Sequence, residues 1–182
     1  MKNLINHALA AEKKLLLLSL AAILFAACDS NNPEPIVQTY TIDSMTFSYY
    51  LSDKDGKIKN IFAQEDRLLF IHLDVTNNRV ATMMVDRDLK GGDCYNEKGK
   101  WMESMSSYWT SNDSFPTFIP ITHGNTSGLV YAFALMDIPS GQYHYQNPRI
   151  RYCFQEEIVS VENYPSDIQE LMIPLTINFK IQ

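Results

Sequence analysis

The residues that could do chemistry are few and scattered. His72 and Asp74 stand two apart, which places them on one face if the segment is a strand. His144 lies between Tyr143 and Tyr145. A metal centre needs three or four ligands in defined geometry, and the spacing assembles no such set. Asp53-Lys54-Asp55-Gly56 has the start of a calcium loop, but the twelfth position, where an EF-hand needs Glu, is Gln64, so a hairpin turn explains it better. Asp86, Asp88 and Asp93 are close enough to gather a cation, and read more simply as a solvated acidic loop. The chain has no His-Glu-x-x-His, Gly-x-Ser-x-Gly, Cys-x-x-Cys or phosphate-cradling glycine loop. The expectation is a protein without catalytic residues, metal or cofactor.

The N-terminus carries the clearest signal. Lys13 and Lys14 precede Leu15 to Ala27, a run of thirteen uncharged residues that ends at Cys28. Basic residues, an apolar core and then small residues describe a secretory signal. The run is shorter than the roughly 20 residues a spanning helix needs, and being apolar on every face it offers no solvent side for a surface helix. Leu24-Phe25-Ala26-Ala27-Cys28 resembles the lipobox of bacterial lipoproteins, with Phe25 where Leu is usual. That resemblance implies acylation at Cys28, cleavage just before it, and attachment to the membrane through a lipid anchor. Several acyl chains hold a protein firmly where one would be marginal.

Asp29 to Pro35 is polar, with two prolines, and reads as an extended tether. It is similar to the acidic export segments after the lipidated Cys in surface lipoproteins of anaerobic Gram-negative gut bacteria. In enteric-type bacteria, Asp directly after the Cys resembles an inner-membrane retention signal instead. The outer membrane, with the domain surface-exposed, is the favoured location. Asp43-Ser44-Met45 resembles the O-glycosylation motif of the same bacteria and makes Ser44 a candidate site.

The chain has 182 residues, 46% hydrophobic and 20% charged, with a formal charge of −6. Lys2, Lys13, Lys14 and Glu12 give residues 1–27 a net charge of +2, so the remainder carries −8. An acidic domain with no basic stripe is a poor nucleic-acid binder, and would be repelled by anionic membranes. The organisation expected is 1–27 leader, 28–38 acylated Cys and tether, and 39–182 one domain. With Cys28 lipidated, Cys94 and Cys153 remain, either bridged outside the cytoplasm or separately buried.

From Thr39 onward the chain alternates in the manner of strands. Leu171, Ile173, Leu175, Ile177, Phe179 and Ile181 occupy six successive odd positions, with Pro174 marking an edge or bulge. Leu129–Leu135, Leu68–Val75, Phe47–Leu51, Arg149–Phe154 and Ile158–Val161 read as further strands, and Val80–Val85 as the hairpin partner of Leu68–Val75. Only Pro165–Glu170 suggests a helical turn. About seven or more short strands predict an all-β, immunoglobulin-like sandwich, with a barrel as the alternative. Residues 47–78 also resemble the opening hairpins of uncharacterised immunoglobulin-like lipoprotein domains, which supports the fold and implies no activity.

Residues 86–128 have little periodicity and predict one long irregular loop. Its Trp101, Tyr108, Trp109 and Phe115, set among polar residues, would make a ligand platform for sugar, or else cap one end of the sandwich. The functional expectation is non-enzymatic binding of a glycan or of another envelope protein. The alternatives are a structural subunit of an outer-membrane complex, docking through a strand edge near Pro174, and an inhibitor-like sandwich.

Overall fold

A computed structural model describes residues 37–86, 90–108, 118–155 and 167–182, with the side chains of 107 and 108 not described. The strands among them are β1 (Gln38–Ile42), β2 (Met45–Ser52), β3 (Ile61–Phe62), β4 (Leu68–Asn77), β5 (Thr82–Asp86), β6 (Lys90–Asn96), β7 (Ser107–Tyr108), β8 (Phe118–Ile121), β9 (Thr126–Ala134), β10 (Gly141–Gln146), β11 (Arg149–Gln155), β12 (Gln169–Met172) and β13 (Thr176–Ile181). Two 3-10 turns, Gln64–Asp66 and Glu103–Met105, complete the described elements. The protein is an all-β sandwich.

Its first layer is a sheet in the order β1-β2-β4-β9. Asp43 and Ser44 both take positive φ, 48° and 63°, which makes the two-residue turn that matches the twist of the β1–β2 hairpin. The second layer consists of two sheets, β3-β13-β10-β6-β7 and β12-β11-β5-β8. Their orders correspond strand for strand, because β13 and β12, β10 and β11, β6 and β5, and β7 and β8 are neighbours in the chain. The layer is therefore a set of long strands broken at one level. Asn147, with φ 54°, and Pro148 break one of them, and Pro174 breaks the next. Proline supplies no ladder donor. The broken ends still bond across the seam, Asn147 N–H to the Leu175 carbonyl at 3.0 Å and Ile173 N–H to that of Pro148 at 2.8 Å.

The core lies between the layers. Odd residues of β2 and β4 point inward from the first layer, including Phe47, Tyr49, Ile71 and Leu73. Tyr143, Tyr145, Ile177 and Phe179 meet them from the second. Tyr145 and Phe179 stack at 5.3 Å and 11°. Outside the β5–β11 sheet lies a smaller cluster of Met84, Phe118 and Cys153, with Ile168 packed on it. Beside that cluster, the fully buried Asp86 is paired with Arg151.

Several local expectations are corrected. The strand at 68–75 does not form a hairpin with 80–85, because both edges of β4 are taken, by β2 and β9. Every residue of β5 is buried, so β5 needs a partner on each side and finds β11 and β8 in the other layer. The single strand expected over 171–181 is two, parted at Pro174, which follows β12, an edge strand of its sheet, as the proline suggested. Residues 86–128 are not one irregular loop, since β6, β7, β8 and the start of β9 fall there. In place of the described part of the helical turn at 165–170, the chain bends at Asp167 and then enters β12. The strand expected at 158–161 lies outside the described residues.

Fully buried Asn77 fixes the crossing between layers. Its Nδ2 donates to the carbonyls of Ala81 and Ile121, each at 2.8 Å, and its Oδ1 accepts the Arg79 amide at 2.9 Å. One side chain thus ties the end of β4 to the loop before β5 and to the end of β8.

Candidate functional site

Strand β6 begins with a register shift between Lys90 and Gly92, a bulge at Gly91. The phenol of Tyr49, buried in the facing sheet, donates to the Gly91 carbonyl at 2.7 Å. Beyond the bulge Cys94 points into the core, so Asp93 and Tyr95 point outward. Asn96 then makes a tight turn, its Oδ1 accepting the amides of Lys98 and Lys100 at 3.0 and 2.9 Å, with Gly99 at φ 71°. The turn returns the chain so that Trp101 pairs with Tyr95. The next residues are held by the Met102 N–H to the Cys94 carbonyl, 2.8 Å, and by the buried Tyr145 phenol to the Met105 carbonyl, 3.0 Å. Two core phenols thus anchor the segment that presents Trp101.

The result is a row of four outward side chains across the sheet. Register places Asn178 of β13 beside His144 of β10, His144 beside Tyr95 of β6, and Tyr95 beside Trp101. At about 4.8 Å between strands the row spans roughly 14 Å. Tyr95 and His144 lie nearly parallel, 5.5 Å apart at 17°. Trp101 keeps 41% of its surface exposed, unusual for so large an apolar ring. Gln142 and Lys180 flank the row on one side, and Gln146 and Asp93 on the other, with Asp93 paired to Lys90. Aromatic surface with amides at its rim fits a flat ligand carrying apolar C–H faces and hydroxyl edges.

Of the sequence-predicted platform, the structure places Trp101 on this face. Tyr108 lies in β7 at the edge of the same sheet, its backbone opposite Lys90. Trp109 and Phe115 lie outside the described residues, as does Cys28. Sequence reasoning weighed His144 only as a lone metal-ligand candidate, not as part of this row, and missed Asn178. The signal was alternation: Tyr143 and Tyr145 face the core, which turns His144 outward. Ser44 sits exposed in the β1–β2 turn.

A second polar group lies on the outer face of the first layer. Tyr50 and His72 stack at 4.6 Å and 4°, Tyr50 donates to Asp74 at 3.0 Å, and Ser52 Oγ is 2.8 Å from His72 Nε2. Burial, reinforced by Asp74, pushes the Tyr50 phenol up to about 12, while burial holds His72 below its ordinary value against the pull of Asp74. The Ser–His contact has the form of a nucleophile and base. Ser52 is buried, and Asp74 is bonded to Tyr50.

The calcium alternatives also resolve. Asp53 Oδ1 accepts the amides of Asp55 and Lys57, each at 3.0 Å, so that carboxylate shapes the turn. Asp86 and Asp93 are paired with Arg151 and Lys90 in different sheets, and Asp88 lies outside the described residues. Among the described residues no three metal-ligating side chains gather.

The bridge between Cys94 and Cys153 is not formed; both are free and buried. Cys94 belongs to the core between the layers, and Cys153 to the small cluster on the far side of the β5–β11 sheet. Burial pushes the Cys94 thiol up to about 12 and raises that of Cys153. In a Cys28→Ala chain, a thiol reagent should therefore find no reactive cysteine in the native protein and two in guanidinium. A bridge would leave none in either.

No family model matches the chain, and no curated protein matches it. Among solved structures it is similar to the C-terminal domain of Wzt, with a TM-score of 0.47 and 10% identity over 84% of this chain and 82% of that one. It is also similar to the putative ApaA protein from Bordetella pertussis, with a TM-score of 0.42 and 7% identity over 82% of this chain and 98% of that one.

Proposed function

We propose that this chain is a lipid-anchored envelope protein whose sandwich binds glycan without catalysis, through the row Asn178–His144–Tyr95–Trp101. The observation that carries the reading is the exposed Trp101, held by a built turn at the end of a parallel aromatic pair. The anchor rests on the lipobox at Cys28, and the acidic tether favours the surface of the outer membrane, where glycans are the ligands within reach. Ser44, exposed in a turn, is available to carry an O-linked sugar of its own.

A screen of neutral and acidic oligosaccharides against the protein, read by tryptophan fluorescence, tests this. Trp101→Ala should weaken any hit at least tenfold, the scale of losing an aromatic anchor worth about 1.4 kcal/mol or more. Binding that survives in Trp101→Ala together with Tyr95→Ala would remove the platform from the account.

A further inference from the structure

The outer face of the first layer is graded along its strands. On β4 the outward residues run Leu68, Phe70, His72, Asp74, Thr76, and on β9 the partners run Ala134, Ala132, Val130, Gly128, Thr126. Both pass from apolar to polar in the same spatial direction. The polar end is a row of hydroxyls, with Thr41 and Thr46 Oγ1 atoms 3.3 Å apart and those of Thr76 and Thr126 2.7 Å apart. Leu68 at the apolar end is 37% exposed, Val130, opposite His72 midway along, is 38% exposed, and Met136, two residues beyond β9, is 66% exposed. Strand alternation alone does not require this, because solvent-facing positions of a sheet over water are ordinarily polar.

The chain approaches the domain from the side of that end and joins the sheet midway along it, Gln38 being level with Leu73 of β4. Strand β1 starts at Gln38, opposite Tyr49 of β2, and Val37 just before it is 45% exposed. Eight residues, 29–36, separate Val37 from Cys28, a reach of at most about 32 Å over nine Cα–Cα steps. The geometry points to the lipid bilayer as the occupant of this surface: the half of the first layer's outer face that runs from Val37 and Val130 at mid-strand to Phe70, Leu68 and Met136 rests on the membrane that holds the acyl chains. The inference depends on the reading that Cys28 is acylated. It turns the outer face of the β10–β6 sheet, on the opposite side of the sandwich, away from the lipid.

The test uses the full acylated chain in vesicles of the zwitterionic lipids phosphatidylethanolamine and phosphatidylcholine, which do not repel an acidic domain, some lipids carrying a headgroup nitroxide. A fluorophore is placed at Met136→Cys or, in a separate chain, at Val80→Cys. Val80 is highly exposed and follows the far end of β4, about 30 Å away along the ten-residue strand. Cys94 and Cys153 are buried and stay unlabelled. Quenching at 136 should exceed that at 80 several-fold, and Leu68→Glu with Val130→Glu should erase the difference while the protein still floats with the vesicles. Equal quenching at both positions in floating protein overturns the inference and leaves the anchor intact. Protein that does not float overturns both. Shielding at 136 accompanied by cross-links between copies assigns the surface to self-association and overturns it as well.

Discussion

Asn77→Asp is expected to destabilise the domain by roughly 4 kcal/mol or more at neutral pH, although it exchanges one NH2 for one oxygen. The Nδ2 that donates to Ala81 and Ile121 becomes an acceptor facing two carbonyls, at a site fully shut from water. Each buried carbonyl left without its donor costs about 1–3 kcal/mol, and the new carboxylate adds the cost of an unpaired buried charge. The Oδ1 contact with the Arg79 amide survives, so the loss combines the two donated bonds with the burial of the new charge. Against a total stability of about 5–15 kcal/mol this is a large share. Chemical denaturation of the two proteins at pH 7 would show it as a lower midpoint with an unchanged slope. A midpoint within experimental error of the wild type would mean that Asn77 does not staple the crossing.

Gly92→Ala should cost a comparable amount and should also damage the platform. Gly92 sits at φ 131°, a conformation that residues with a Cβ rarely adopt. An added Cβ would lie 2.5 Å from Tyr49 Oη and 3.2 Å from the Gln146 carbonyl oxygen. The phenol cannot swing aside easily, because it is the end of a rigid ring buried in the core and bonded to Gly91. Tyr49→Phe alone should lose about 1–2 kcal/mol through the unpaired Gly91 carbonyl. The double variant should be less damaged than the sum of the two singles, because the clash and the hydrogen bond share one oxygen. Tyr95 lies three residues further along β6, so ligand binding should fall with stability in Gly92→Ala. Strict additivity in the cycle would show that the close approach is not what makes the glycine necessary.

The sandwich itself was legible because its strands keep strict alternation. β2, β4, β9, β11 and β13 were each marked by apolar residues every second position. The turn at Asp53-Lys54-Asp55-Gly56 was marked by residues suited to it. Partner choice was not legible: Val80–Val85 looked like the return of a hairpin, and only the burial of all five residues of β5 shows that it must lie inside the other layer. The break at Pro174 was visible as a proline, but its meaning depends on Pro148, a distant residue at the same level of the neighbouring strand. Strand β6 was hidden because Lys90-Gly91-Gly92-Asp93 carries no apolar side chain, and a bulge pinned by a distant tyrosine holds it in the sheet. Trp101 could be named from its type and its polar surroundings. Its companions His144 and Asn178 come from strands 43 and 77 residues further along the chain, and only the register of the sheet brings them together.

The central claim is that ligand meets this protein on the outer face of the β10–β6 sheet. The most direct test is to follow backbone and side-chain NMR shifts while titrating the strongest oligosaccharide from the screen. The account predicts shifts concentrated at Trp101, Tyr95, His144, Asn178 and Gln142, with the outer face of β4 and β9 unmoved. Shifts centred on Tyr50, His72 and Val130 instead, or a protein that no oligosaccharide in the screen perturbs, would contradict it.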